Sequence, residues 1–144
     1  MSNTSAFPFV DTNVLLRHLL NDLPDQSPAA QTLFAELETG ARDAQVTGTI
    51  VFECVFVLQT HYGVPREAIR KRLLPILAFA HLMVPDREIY PAVFDLYVAR
   101  KGLSFADCYH AALARHLGTG IISFDRGFDR IPGLTRIEPQ APNR

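Results

Sequence analysis

Four carboxylic acids in this chain occupy positions from which they could do chemistry: Asp11, Glu53, Asp107 and Asp125. The first stands in Phe9-Val10-Asp11-Thr12-Asn13, between a short apolar run and the apolar residues 14–20. Residues 7–10 suit a buried strand, and Thr12 and Asn13 are types that start helices, so Asp11 is expected at the C-terminal end of a strand. In open α/β sheets, ligands bind at that edge. The structural alternative is that its charge only favours the start of the helix. Glu53 is the sole charge in residues 50–58. Desolvating an unpaired carboxylate costs several kcal/mol, so Glu53 must reach water, pair with a base or bind a cation. A capping box does not explain it, because Thr49 precedes it by four residues where the box needs three. Ser104-Phe105-Ala106-Asp107 does have that spacing, which gives Asp107 a strong structural alternative. Ser123-Phe124-Asp125-Arg126-Gly127-Phe128-Asp129 repeats the opening arrangement, with a turn-forming role as the alternative and Asp129 as a possible substitute for Asp125.

Carboxylates at strand ends and helix starts of one sheet are expected to converge on one edge, where without counter-charge they would repel one another. An all-oxygen site of this kind suits Mg²⁺ or Mn²⁺, which bridge to phosphate oxygens and activate water. The chemistry this points to is metal-assisted phosphodiester hydrolysis. His18, His61, His81, His110 and His116 show no zinc-ligand spacing and are read as surface or packing residues, and there is no phosphate-binding GxxxxGK[ST] loop.

The elements that must position these acids alternate between helix and strand. Helices are expected after Asp11, over residues 28–39 up to Gly40, over 49–62 up to Gly63, from Pro65 through a basic stretch, over 88–101, and over 105–117 up to Gly118 or Gly120. The third and fourth, tightly joined, should form a helical hairpin. Strands are expected over 7–10, 44–48, 82–84, 121–124 and 134–138. This order predicts an α/β fold in three layers, α/β/α, with a mostly parallel central sheet covered by helices. With 144 residues, 48% of them hydrophobic, and no linker or repeat, the chain is expected to be one domain with a core over about 7–138. Residues 1–6 and 139–144 are polar and expected to be frayed.

A formal net charge of −1 gives no global attraction to nucleic acid, although 12 of the 14 basic residues are Arg; Arg17, Arg126 and Arg130 lie nearest the acids in sequence. Cys54 and Cys108 lie in apolar surroundings without a CxxC pair or a signal peptide, which fits buried thiols in a reducing cytoplasm. No apolar run approaches the roughly 18 residues of a membrane span.

In the order and spacing of these motifs the chain resembles a PIN-domain ribonuclease of the VapC type, the toxin of bacterial toxin–antitoxin modules, from about Phe9 to Glu138. The resemblance implies that Asp11, Glu53, Asp107 and Asp125 form an acidic pocket for Mg²⁺ or Mn²⁺, with Asp11 and Asp107 as principal metal ligands. Asn13 and Ser123 would hold carboxylates or water by hydrogen bonds. It also implies an RNA substrate, a homodimer and a cognate antitoxin. The apolar helix over 49–62 and its basic partner are expected to expose more apolar surface than a monomer readily covers. The competing readings are a non-catalytic PIN-like RNA- or protein-binding domain and a housekeeping RNA-processing nuclease.

Overall fold

The fold was analysed in a computed structural model that describes residues 6–142; the ends at 1–5 and 143–144, expected to be frayed, lie outside the described residues. It has six α-helices and short parallel strand pairs among the described residues, an α/β architecture, divided into two compact units at residues 1–87 and 88–144.

In the first unit the chain enters as an extended segment. Gln45 bonds on one side to this segment, through Val10 N–H to Gln45 O and Gln45 N–H to Pro8 O, both 2.9 Å. Its neighbours Ala44 and Val46 donate on the other side, to His81 O and Met83 O. Strand β1 (Ala44–Gln45) therefore lies between the parallel Phe9 segment and parallel β2 (Leu82–Met83). Pairing is shorter than the apolar runs suggest. Pro8 and Pro85 have no N–H to give a ladder, and Thr47 already turns the chain into a helix.

Helix α1 (Thr12–Leu20) buries Leu15, Leu16 and Leu19 and ends at Asn21 in the left-handed region, φ 48°. Helix α2 (Ser27–Thr39), with Pro28 in its first turn, buries Ala30, Phe34 and Leu37 along one stripe and is stopped by Gly40 at φ 90°. The two pack together, with the His18 ring stacked on Phe34 at 4.4 Å between centroids. Helix α3 (Gly48–Thr60) begins earlier than expected, because Thr47 is its cap and accepts from Ile50 N–H at 3.2 Å. It buries Val51, Cys54, Val55 and Leu58. Burial pushes the Cys54 thiol up to about 12. Of the large apolar side chains of α3 only Phe56 is strongly exposed, at 66%, and within the expected stretch 49–62 Tyr62 joins it at 41%. A turn through Gly63 leads to α4 (Arg66–Leu77), which packs on α3 and whose Arg72 donates to Leu19 O at the C-terminus of α1.

In the second unit a three-ten turn (Arg87–Ile89) takes the place of the first turn expected for the helix over 88–101, and α5 runs over Tyr90–Ala99. Its second residue, Pro91, lacks the N–H that would join the preceding turn. Helix α6 (Phe105–Leu117) faces it with Ala111, Ala112 and Ala114 buried. Rings of Phe94 and Tyr97 converge on Phe105 at 5.0 and 5.3 Å. Strand β3 (Ile121–Ile122) then pairs in parallel with β4 (Arg136–Ile137), on either side of a three-ten helix at Arg126–Arg130. No helix among the described residues is long and apolar enough to cross a membrane.

Burial lowers the pKa of His18, whose Nδ1 is buried without a hydrogen-bond partner. The unfolded chain then binds the proton more tightly than the folded one, so His18 destabilises the fold as pH falls through its unfolded value of about 6.5. Melting temperature should fall more steeply for the wild type than for His18→Phe between about pH 7 and about pH 5, and parallel curves would refute this.

Candidate functional site

Asp11 sits where the extended segment becomes α1. Its backbone is extended, φ −69° and ψ 151°, as a residue preceding the first helical turn must be, yet its side chain makes no capping hydrogen bond. The carboxylate is exposed beside the positive end of the helix. Helix starting therefore does not occupy its oxygens. Thr12, the first helical residue, donates from Oγ1 to Glu53 Oε2 at 2.8 Å, which ties the two acid-bearing helices together. Glu53 thus reaches solvent and a hydroxyl partner while its neighbour Cys54 is buried. Asp11, Glu53, Thr12 and Asn13 line one cavity of about 690 Å³.

The same cavity contains Arg17, Phe56, His61 and Tyr62. Arg17 is not available as a phosphate cation. Its Nη1 lies 2.9 Å from both oxygens of Asp22, and its Nη2 donates to Tyr62 Oη at 3.2 Å. Residues of the cavity that were not expected from the sequence include Thr12, read there as a helix starter only, Phe56 and Tyr62. The adjacency of Thr12 to Asp11 was a usable signal; the long-range bond to Tyr62 had none.

In the second unit Asp107 closes the predicted capping box. Ser104 N–H donates to its Oδ2 at 3.0 Å, and its own N–H donates to Ser104 Oγ at 3.1 Å. Asp125 caps the three-ten helix: its Oδ1 accepts from Gly127 N–H at 2.8 Å, and its N–H donates to Ser123 Oγ at 2.9 Å. A Cβ at Gly127 would lie 3.0 Å from that Oδ1, so the close approach favours glycine. Both structural alternatives are therefore real, and each uses one oxygen of its carboxylate. Asp129 differs. Arg136 holds both its oxygens, at 2.9 and 3.2 Å, and lowers its pKa through that hydrogen bond. Arg136 also donates to Ser123 O at 2.9 Å, fixing the loop that carries Asp125.

Asp11 and Glu53 thus share a cavity in the first unit, and Asp107 and Asp125 stand at helix starts in the second. Within neither unit do three or more His, Cys, Asp or Glu side chains gather, among the described residues, into a group able to hold a metal ion.

The profile of the PIN domain matches residues 9–134, a stretch that contains all four acids. The chain belongs to the PIN-domain family. Two similar proteins place this PIN domain with the VapC type: VapC ribonuclease Mb1869c of Mycobacterium bovis (strain ATCC BAA-935 / AF2122/97) and ribonuclease VapC13 of Mycobacterium tuberculosis (strain ATCC 25618 / H37Rv). Each is 30% identical over 133 residues, covering 89% of this chain and 97% of the relative. The matched stretch reaches into both units and contains β1, β2 and β3.

The capping box gives a stability test of the PIN domain. Ser104→Ala removes the acceptor for Asp107 N–H and should lower the unfolding free energy by about 1 kcal/mol in denaturant titrations. Asp107→Asn keeps an acceptor for Ser104 N–H and should cost less than Asp107→Ala. Equal losses would mean that the side-chain half of the box contributes nothing.

Proposed function

We propose that this protein is a metal-dependent endoribonuclease, the toxin half of a toxin–antitoxin pair, in which Asp11, Glu53, Asp107 and Asp125 are the acids of the reaction. The observation that carries the site is the carboxylate of Asp11, set at a helix start with no capping bond and opening with Glu53 on one cavity. The ribonuclease reading is supported by the ribonuclease names of the two relatives, which match over nearly their full length. Asp125 is preferred to Asp129 because Arg136 occupies both oxygens of Asp129, whereas capping occupies one oxygen of Asp125.

The donor set consists of carboxylate oxygens and in its chemistry fits a hard cation such as Mg²⁺ or Mn²⁺. Asp11 and Asp107 are the proposed ligands, and the bound ion would supply activation of water and screening of the phosphate charge. The chain's own contribution is positioning. Thr12 Oγ1 holds Glu53 in one orientation, and the Ser104 and Gly127 backbone N–H groups do the same for Asp107 and Asp125, each leaving one carboxylate oxygen open. The VapC-type likeness extends the proposal to an RNA substrate, a cognate antitoxin, a homodimer and a cytoplasmic location.

Purified protein should cut total RNA with Mg²⁺ or Mn²⁺ and stop in chelator. Asp11→Asn preserves size and most hydrogen bonding while deleting a charge, and should lose at least about a hundredfold in rate, about 2.7 kcal/mol of transition-state stabilisation. Asp129→Asn should cost far less. A folded Asp11→Asn protein that cuts RNA at the wild-type rate would overturn the assignment.

A further inference from the structure

The cavity that holds Asp11 and Glu53 also exposes aromatic rings that the fold does not need. Phe56 is 66% exposed on α3, a helix whose packing is already supplied by Val51, Cys54, Val55 and Leu58. It follows Glu53 by three residues, a spacing that places two side chains on one helix face with Cβ atoms about 5–6 Å apart. Tyr62, 41% exposed, lines the same cavity. Its hydroxyl accepts from Arg17, which Asp22 grips in turn, and its ring meets His61 edge-on at 4.9 Å. Tyr62 is therefore held in place before any ligand arrives, which reduces the ordering cost of binding.

We propose that Phe56 and Tyr62 form a stacking subsite for a nucleobase of single-stranded RNA, next to the phosphate on which Asp11 and Glu53 act. The proposal rests on the ribonuclease reading and deepens it by naming the residues that seat a base beside the reacting phosphate. A base within a duplex has its faces covered by its neighbours, whereas an unstacked base offers a face to an aromatic ring. The chemistry of the cavity favours a nucleotide over an apolar peptide side chain. Alongside the rings stand the Thr12 hydroxyl and the Asn13 amide, which suit the polar edges of a base and its sugar, and the two carboxylates, which would meet the phosphate through the cation of the proposed reaction. Stacking accepts any base, so this subsite sets strandedness and register rather than sequence. Arg17 acts here as a positioning residue, through the ring it holds.

The test uses full-length protein and a fluorescein-labelled single-stranded RNA. Binding is read by anisotropy in the Asp11→Asn background, and cleavage in the otherwise wild-type chain. Phe56→Leu keeps apolar bulk and removes the π face. It should weaken binding and raise KM by about fivefold or more while leaving kcat nearly unchanged, and Phe56→Tyr should restore both. Replacing successive nucleotides by abasic sites should abolish the difference between the parent chain and its Phe56→Leu variant at one position only. Wild-type binding and KM in Phe56→Leu, or a penalty that persists at every abasic position, would overturn the subsite. So would unchanged RNA affinity accompanied by an altered oligomeric state, which would assign the ring to a protein contact. Failure of the wild type to cut any RNA would count against the ribonuclease reading, and the anisotropy series would still decide the subsite.

Discussion

Helix starts are where three of the candidate acids of this chain sit: backbone N–H groups hold the carboxylates of Asp107 and Asp125, and Asp11 stands at the positive end of a helix with no such bond. Asp11 precedes α1, Asp107 is the third residue of α6, and Asp125 precedes the three-ten helix at Arg126–Arg130. At each place unpaired N–H groups and the positive end of the helix face a negative charge. A lysine or arginine at these positions would neutralise the carboxylate but would also occupy it, as Arg136 occupies Asp129. Much of the local architecture serves this arrangement. Two of the parallel segments are short because the chain passes quickly from the ladder into the helix or turn that holds an acid, and Thr47 and Asp125 mark these passages by accepting a backbone N–H.

Glu53 is handled differently, because it lies inside a helix where every N–H is already committed. Its charge is met by water and by the Thr12 hydroxyl, so the orientation of one acid depends on the first residue of the helix that follows the other. This bond also joins α3 to α1 at the cavity. Packing between these two helices and the position of Glu53 are thereby linked, and a change at the α1–α3 contact reaches the cavity without touching a carboxylate.

The features legible in the sequence were those governed by local chemistry. Helix α6 runs over Phe105–Leu117 as expected because Ser104 and Gly118 mark its ends, and the capping box was readable from a spacing of three. Gly40 and the left-handed turn it supports ended α2 in the same way. Strand lengths were not legible: an apolar run shows what is buried, but ladder length depends on partners distant in sequence and on prolines such as Pro8 and Pro85. The start of α3 shifted because two threonines, Thr47 and Thr49, compete for one cap and composition cannot rank them. At the site, the placement of Asp11 before a helix, of Asp107 in a capping box and of Asp125 beyond a strand was readable, whereas the three-ten helix that Asp125 caps was not. The commitments of individual oxygens were not, since the bonds of Thr12 to Glu53 and Arg17 to Tyr62 span 41 and 45 residues.

A sulfur atom follows each of two acids directly in the chain, Cys54 after Glu53 and Cys108 after Asp107, and both thiols are wholly buried and outside any disulfide. Successive helix residues point about 100° apart, so the carboxylate can turn outward while the thiol turns into the core. Burial keeps Cys54 protonated far above neutral pH. Thiophilic ions such as zinc or copper bind the thiolate, and oxidants attack it, so this protonated, inward-facing sulfur meets neither. The helix thereby separates hard from soft donors by its own pitch: Glu53 brings an oxygen to the cavity while the sulfur next to it in the chain stays in the core.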